Sequence, residues 1–210
     1  MAGSSGAGKT SLFVKLVRSA DAVMTRTPDR LDLFFSHGQR AYEEMKKTSP
    51  CPVVLHRGGP GEDYEPPPGT LVVVDDLQAT HSEIVSQWFT RKSHHLDCSI
   101  IYLVQNVFDK SPYHRSISLN ATYLILFRNP RDMSQVSHLD KQVYPSGGKL
   151  LTRAYMSATR GIAHSYIVVD FNQSTPEDFR LRNTLFPEED FPKAYAYTED
   201  ENGKKQSTTQ

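Results

Sequence analysis

Cysteine is almost absent: Cys51 and Cys98 are the only two in 210 residues, far apart and without CxxC spacing. They offer neither a disulfide framework nor a zinc site, and their scarcity points to a reducing intracellular compartment. Net charge is lacking as well, since 24 Lys and Arg balance 24 Asp and Glu. Nothing global therefore announces a nucleic-acid binder, and any basic surface has to be local, as in the lining of a channel. No apolar run approaches the roughly 20 residues that a membrane span needs, and the N-terminus has no signal-peptide core. These absences predict a soluble protein, cytoplasmic, nuclear or associated with a particle, with no membrane partner. No internal repeat is visible, and the length suits one large α/β domain with an ample core.

What the chain does have stands at its start. Gly3-Ser4-Ser5-Gly6-Ala7-Gly8-Lys9-Thr10 fits the phosphate-binding pattern GxxxxGK[ST] at every fixed position. Glycines let the backbone curl so that successive N–H groups point at a nucleotide's phosphates, and a following helix N-terminus adds positive dipole. Lys9 is then placed to reach the β- and γ-phosphates and Thr10 to ligate Mg²⁺, with Ser11 completing the cofactor-binding stretch. The plainer reading, a flexible Gly/Ser-rich terminus, does not require Lys-Thr directly after the last glycine. Leu12, Phe13, Leu16, Val17 and Ala20 recur at helical spacing, so Lys9 to about Ala20 reads as the helix the motif needs. A phosphate loop normally follows a buried strand, yet only Met1 and Ala2 precede Gly3. The expectation is a sheet lacking its first strand, through truncation or because that strand comes from elsewhere.

Further along, Arg30–Ser36 and Val53–Leu55 read as short strands, with a helix over Gln39–Lys47 that turns Tyr42 and Met45 inward. Arg57–Gly69, with prolines at 66, 67 and 68, reads as a surface loop. Leu71-Val72-Val73-Val74-Asp75-Asp76 is an apolar run ending in two acids, the pattern of a strand covered on both faces. Thr80 and Glu83 have capping-box spacing for the next helix. Ser99–Val104 is a strand ending at Gln105-Asn106, and a short helix is expected around Tyr113–Leu119. Thr122–Phe127 and Tyr166–Phe171 read as the last strands, with helices over Asp132–Tyr144 and Lys149–Arg160 between them, the second stopping at Gly161. Residues 198–210 read as a disordered polar tail after a domain of residues 1–197. The alternation predicts a P-loop α/β fold, a mostly parallel doubly wound sheet with helices on both faces, whose ligands bind at the carboxyl ends of the strands.

ATP hydrolysis needs a phosphate cradle, a magnesium ion, a group that orients the attacking water and positive charge near the γ-phosphate. Thr10 with Asp75 is the candidate pair for Mg²⁺, and Asp76 the candidate for polarising water, although two acids after a strand also suit a turn or a helix cap. Gln105 is the candidate sensor of the γ-phosphate. Arg91 is the first choice for an arginine acting in trans, ahead of Arg115, Arg128 and Arg131. His81, His94 and His95 lack the regular ligand spacing of a metal site and read as structural or interface residues.

With these residues named, the chain resembles the viral genome-packaging ATPases of the FtsK/HerA superfamily, particularly those of Polinton (Maverick) elements and related large DNA viruses. The likeness runs from Gly3 to about Asp190. It rests on the phosphate loop, on Arg30–Tyr42 with Gln39, on Leu71–Leu77, and above all on Ser93-His94-His95 leading through Ser99-Ile100-Ile101-Tyr102-Leu103-Val104 into Gln105-Asn106-Val107-Phe108. Ser118–Ala121 and Phe127–Asp132 are similar too. The resemblance implies a ring-forming, ATP-driven translocase of double-stranded DNA that fills capsids, with ATP and Mg²⁺ bound, a homo-oligomeric ring and a capsid protein as partners, and an arginine near Arg91 acting in trans. The alternative expectation is an inactive relic that binds only nucleotide or partner subunits. A small-molecule kinase shares the loop, but the sequence has no evident arginine-rich lid.

Overall fold

The computed structural model describes residues 1–92, 96–106, 111–131, 133–145, 149–186, 192–199 and 205–209. It divides into two compact units: residues 1–2 with 9–121, and residues 3–8 with 122–210.

In the first unit, α1 (Lys9–Arg18) and the short α2 (Ala20–Val23) follow the glycine-rich stretch. Then come β1 (Arg30–Phe35), α3 (Arg40–Thr48), β2 (Val53–Arg57), β3 (Thr70–Asp75), α4 (Gln78–Gln87), β4 (Ser99–Leu103) and α5 (Pro112–Asn120). The strands form one all-parallel sheet in the order β2-β1-β3-β4. Every residue of β3 is buried, as its unbroken apolar run requires. Period-2 alternation sends Leu31, Leu33, Leu71 and Val73 to one face, where they pack with Phe13, Val14 and Val17 of α1 and Tyr42 and Met45 of α3. On the other face Phe34 stacks on His56 at 4.4 Å between ring centroids and meets Trp88 edge-on at 6.4 Å. Trp88 opens the π-type stretch Trp88–Lys92 that continues α4, so helical segments cover both faces.

One detail departs from the sequence reading, and two add to it. Thr80 stands inside the helix and not at its N-cap: α4 opens at Gln78, with Leu77 at the N-cap. A left-handed turn at Asp76 (φ +54°) has already swung the chain into the helix before Thr80 is reached. Where a first strand was expected to be missing, Ala2 pairs in parallel with Val104, and the Val104 N–H donates to Met1 O at 2.9 Å. This is an isolated bridge beside β4 and not a further strand of the sheet. In the sheet interior Asp32 is completely buried; it accepts from Arg30 Nε at 2.7 Å and from the Tyr64 hydroxyl. Tyr64 belongs to the irregular Gly58–Gly69 segment, so this carboxylate anchors the proline-rich loop.

The second unit holds β5 (Tyr123–Phe127), α6 (Met133–Val143), α7 (Leu150–Thr159), β6 (Tyr166–Asp170) and β7 (Leu181–Arg182). Its sheet, ordered β5-β6-β7, is antiparallel throughout. The expected parallel arrangement therefore holds for the first unit only; the apolar runs of β5 and β6 mark burial and do not encode direction. Beyond the strand read as the last, β8 (Tyr195–Glu199) pairs antiparallel with β9 (Lys205–Thr209), which lies in the stretch 198–210 read as a disordered tail, as do the last two residues of β8. Residues 200–204 and 210 of that tail lie outside the described residues. Helix α7 starts after Lys149 without a cap of its own. Buried Asp140 of α6 supplies it, accepting from Leu151 N at 3.2 Å, Thr152 N at 3.0 Å and Thr152 Oγ1 at 2.6 Å.

Candidate functional site

The two acids after β3 have different surroundings. Asp75 closes the strand in register with Phe35 of β1 and Leu103 of β4 and is 5% exposed. Its Oδ2 accepts a hydrogen bond from the Tyr42 hydroxyl and, at 3.4 Å, one from Gln39 Nε2. Burial pushes the Asp75 carboxyl above its ordinary range; the Tyr42 bond pulls it back, Asp76 adds to the rise and Lys9 opposes it. Asp76, one residue on, is exposed and holds a positive φ, a conformation that aspartate tolerates better than most residues. Its Oδ1 accepts from Gln105 Nε2 at 3.1 Å, and its N–H donates to Leu103 O at 3.3 Å. Two parallel strands side by side thus bring Asp76 and Gln105, 29 residues apart, into direct contact.

Lys9 and Thr10 open α1 in the same unit. Lys9 is half-buried, and desolvation lowers its pKa while Asp75 and Asp76 raise it, so its ammonium lies within the field of both acids. The Thr10 side chain adjoins the Tyr42 phenol as a polar neighbour that lowers its pKa. Burial, the most strongly felt influence on that phenol, and its bond to Asp75 push its pKa far upward, so Tyr42 stays a neutral donor. Tyr42 is expected from the sequence only as an apolar contact of α3. The structure sets it between Thr10 and Asp75, with Gln39 Nε2 donating to its oxygen at 3.1 Å.

The stretch Gly3–Gly8 groups with the second unit. It contains a turn closed by Ala7 N–H donating to Ser4 O at 3.1 Å. Two of its glycines are dictated by their surroundings. A Cβ on Gly3 would lie 2.6 Å from Phe127 Cβ, and Gly8 combines φ +101° with a site where a Cβ would lie 2.9 Å from His164 Cβ. His164, itself at φ +60°, escapes sequence reading because no motif surrounds it.

Other expected residues fall elsewhere. Arg91 lies in the π-type stretch, and its side chain is outside the described residues, as are His94 and His95. Arg115, Arg128 and Arg131 are exposed. His81 sits on α4 with its ring against Gly59. Among the described residues no three His, Cys, Asp or Glu side chains gather as a metal cage, and no helix is long and apolar enough to cross a membrane. The Thr10 hydroxyl and the Asp75 carboxylate, both beside one phenol, are nevertheless a hard oxygen pair of the kind Mg²⁺ takes when phosphates and water supply the remaining ligands. Comparison with family models, with curated proteins and with solved structures gave no match for this chain.

Proposed function

We propose that the chain is a magnesium-dependent P-loop ATPase whose hydrolysis drives translocation of double-stranded DNA, acting as a homo-oligomeric ring in genome packaging with a capsid protein as partner. One observation carries the ATPase part: Lys9 and Thr10 interact with Asp75, Asp76 and Tyr42, and Gln105 with Asp76, from segments far apart in sequence. The all-parallel sheet agrees with a P-loop class of fold, and the two acids stand at the carboxyl end of a central strand, Asp75 as its last residue and Asp76 directly after it, where ligands of such sheets bind.

Each side chain has a task within that reading. The Lys9 ammonium, kept partly dehydrated by its surroundings, neutralises the β- and γ-phosphates. Thr10 and Asp75 hold Mg²⁺, which when bound draws off charge that builds on the phosphate oxygens. Asp76, the exposed acid, orients a water for in-line attack on the γ-phosphorus; the water oxygen bonds to phosphorus as the bond to the leaving ADP oxygen breaks. Gln105 fixes the Asp76 carboxylate by its hydrogen bond and thereby couples β4 to the reacting end of the nucleotide. The DNA, ring and capsid parts rest on the sequence resemblance.

The test is phosphate release by purified protein with and without duplex DNA, in the wild type and in Asp76→Asn. The expected result is turnover that duplex DNA accelerates and that Asp76→Asn reduces by about 10²-fold or more, the scale of losing a positioned acid–base group. Turnover unaffected by Asp76→Asn would overturn the assigned chemistry. Turnover indifferent to DNA would leave an ATPase and remove the translocase.

A further inference from the structure

The Tyr42 hydroxyl has polar neighbours on three sides. It donates to Asp75 Oδ2, accepts from Gln39 Nε2 and has the Thr10 hydroxyl as a polar neighbour on its remaining side. Its ring cannot withdraw easily: Tyr42 is 1% exposed, packs within the core between α1, α3 and the sheet, and lies 5.3 Å from the Phe35 ring. The phenol is therefore a fixed strut between Thr10 and Asp75, and the chemistry of its bonds favours a cation. The Thr10 hydroxyl beside the phenol has two lone pairs on Oγ1, so it keeps at least one for a metal even when paired with Tyr42. Asp75 engages the phenol through Oδ2, which leaves Oδ1 for a metal or for a metal-bound water.

We infer that Tyr42, braced by Gln39, is a positioning residue that fixes the spacing of the Thr10 hydroxyl and the Asp75 carboxylate and so selects the small, strictly octahedral Mg²⁺ over the larger, more permissive Ca²⁺. The inference rests on the nucleotide-site reading above. Mg²⁺ demands near-ideal octahedral ligands at about 2.0–2.1 Å, whereas Ca²⁺ accepts six to eight at about 2.3–2.6 Å, so rigidity between two ligands favours the first. Partners of metal ligands that do not themselves touch the metal ordinarily govern about 10- to 100-fold in metal affinity.

The experiment is equilibrium binding of a fluorescent, non-hydrolysable ATP analogue in EDTA, in Mg²⁺ and in Ca²⁺, to wild type, Tyr42→Phe and Gln39→Ala. Circular dichroism checks that each variant folds. The wild type is expected to bind more tightly with Mg²⁺ than with Ca²⁺ or EDTA. Tyr42→Phe should lose about 10- to 100-fold of the Mg²⁺-linked affinity, with the preference over Ca²⁺ collapsing and the affinity in EDTA unchanged, because Lys9 is untouched. Exposed Gln39 tolerates truncation, so Gln39→Ala should show a smaller loss in the same direction and decides the matter if Tyr42→Phe does not fold. An unchanged Mg²⁺ preference in the folded variants overturns the inference and leaves the nucleotide site standing. A wild type whose analogue binding ignores Mg²⁺ overturns both.

Discussion

Changing Asp75 to Asn should stabilise the nucleotide-free protein while removing its magnesium-dependent nucleotide binding. The carboxylate is 5% exposed, and burial is the largest influence raising its pKa. Desolvating such an ion costs several kcal/mol even after relaxation, of the order of 3. Asparagine keeps the shape and an oxygen that can accept from Tyr42, so the bond changes from charge-assisted to neutral at a loss of about 1 kcal/mol. Lys9 loses one of its two acidic neighbours; with the ammonium half-buried, that removes roughly another 1 kcal/mol or less. The balance is a gain of about 1 kcal/mol, within the 0.5–2 kcal/mol common where a residue serves function at the expense of stability. For a chain of this size it raises Tm by roughly 2–4 °C.

Thermal unfolding followed by circular dichroism in EDTA measures this effect. The pH dependence carries a sign. Because the folded-state pKa of Asp75 lies above its ordinary 3.8, the cost of ionisation is fully present above the folded pKa and vanishes as pH falls below 3.8. The advantage of Asp75→Asn should therefore be full near pH 7 and close on the acid side. A variant less stable than wild type at pH 7 would show that the carboxylate is kept for the fold, and would refute the reasoning.

Asp140→Ala should cost about 2–4 kcal/mol, since it removes the α7 cap and strands the buried Leu151 N–H; urea unfolding followed by a probe in the second unit measures it. Tyr64→Phe should cost about 1–3 kcal/mol by depriving the buried Asp32 carboxylate of a donor, and hydrogen exchange should speed up in the Gly58–Gly69 segment first. Faster exchange elsewhere with that segment unchanged would contradict the role given to Asp32. Lys9→Ala should leave Tm within about 1 °C of wild type or slightly above it, because the half-buried ammonium is partly dehydrated at a cost that its acidic neighbours offset only in part.

Much of this arrangement was legible before any coordinates. The run Leu71–Val74 announced a strand covered on both faces, and the polar residues directly after it and after Val104 marked where the two strands end, because strand period and strand ends are local properties. Pairing is not local. Tyr42 was readable as an inward residue of α3, but its bond to Asp75, 33 residues away, depends on β1 lying beside β3 with Phe35 opposite Asp75. Asp32 gave no signal in an otherwise apolar strand, since its partners come from β1 itself and from a proline-rich loop. The antiparallel sheet of the second unit was hidden for the same reason: the sequences of β5 and β6 say that they are buried and say nothing about which way they run. The His164 contact with Gly8 joins segments at opposite ends of the chain, and no spacing rule reaches across it.

The central claim is that Lys9, Thr10 and Asp75 hold a magnesium-bound nucleoside triphosphate. Its most direct test is calorimetric titration of a non-hydrolysable ATP analogue with Mg²⁺ into wild type and into Lys9→Ala. The account predicts saturable binding at one site per chain in the wild type, abolished by Lys9→Ala while its unfolding curve is retained. Equal heats and affinity in the two proteins, or no binding to either, would contradict it.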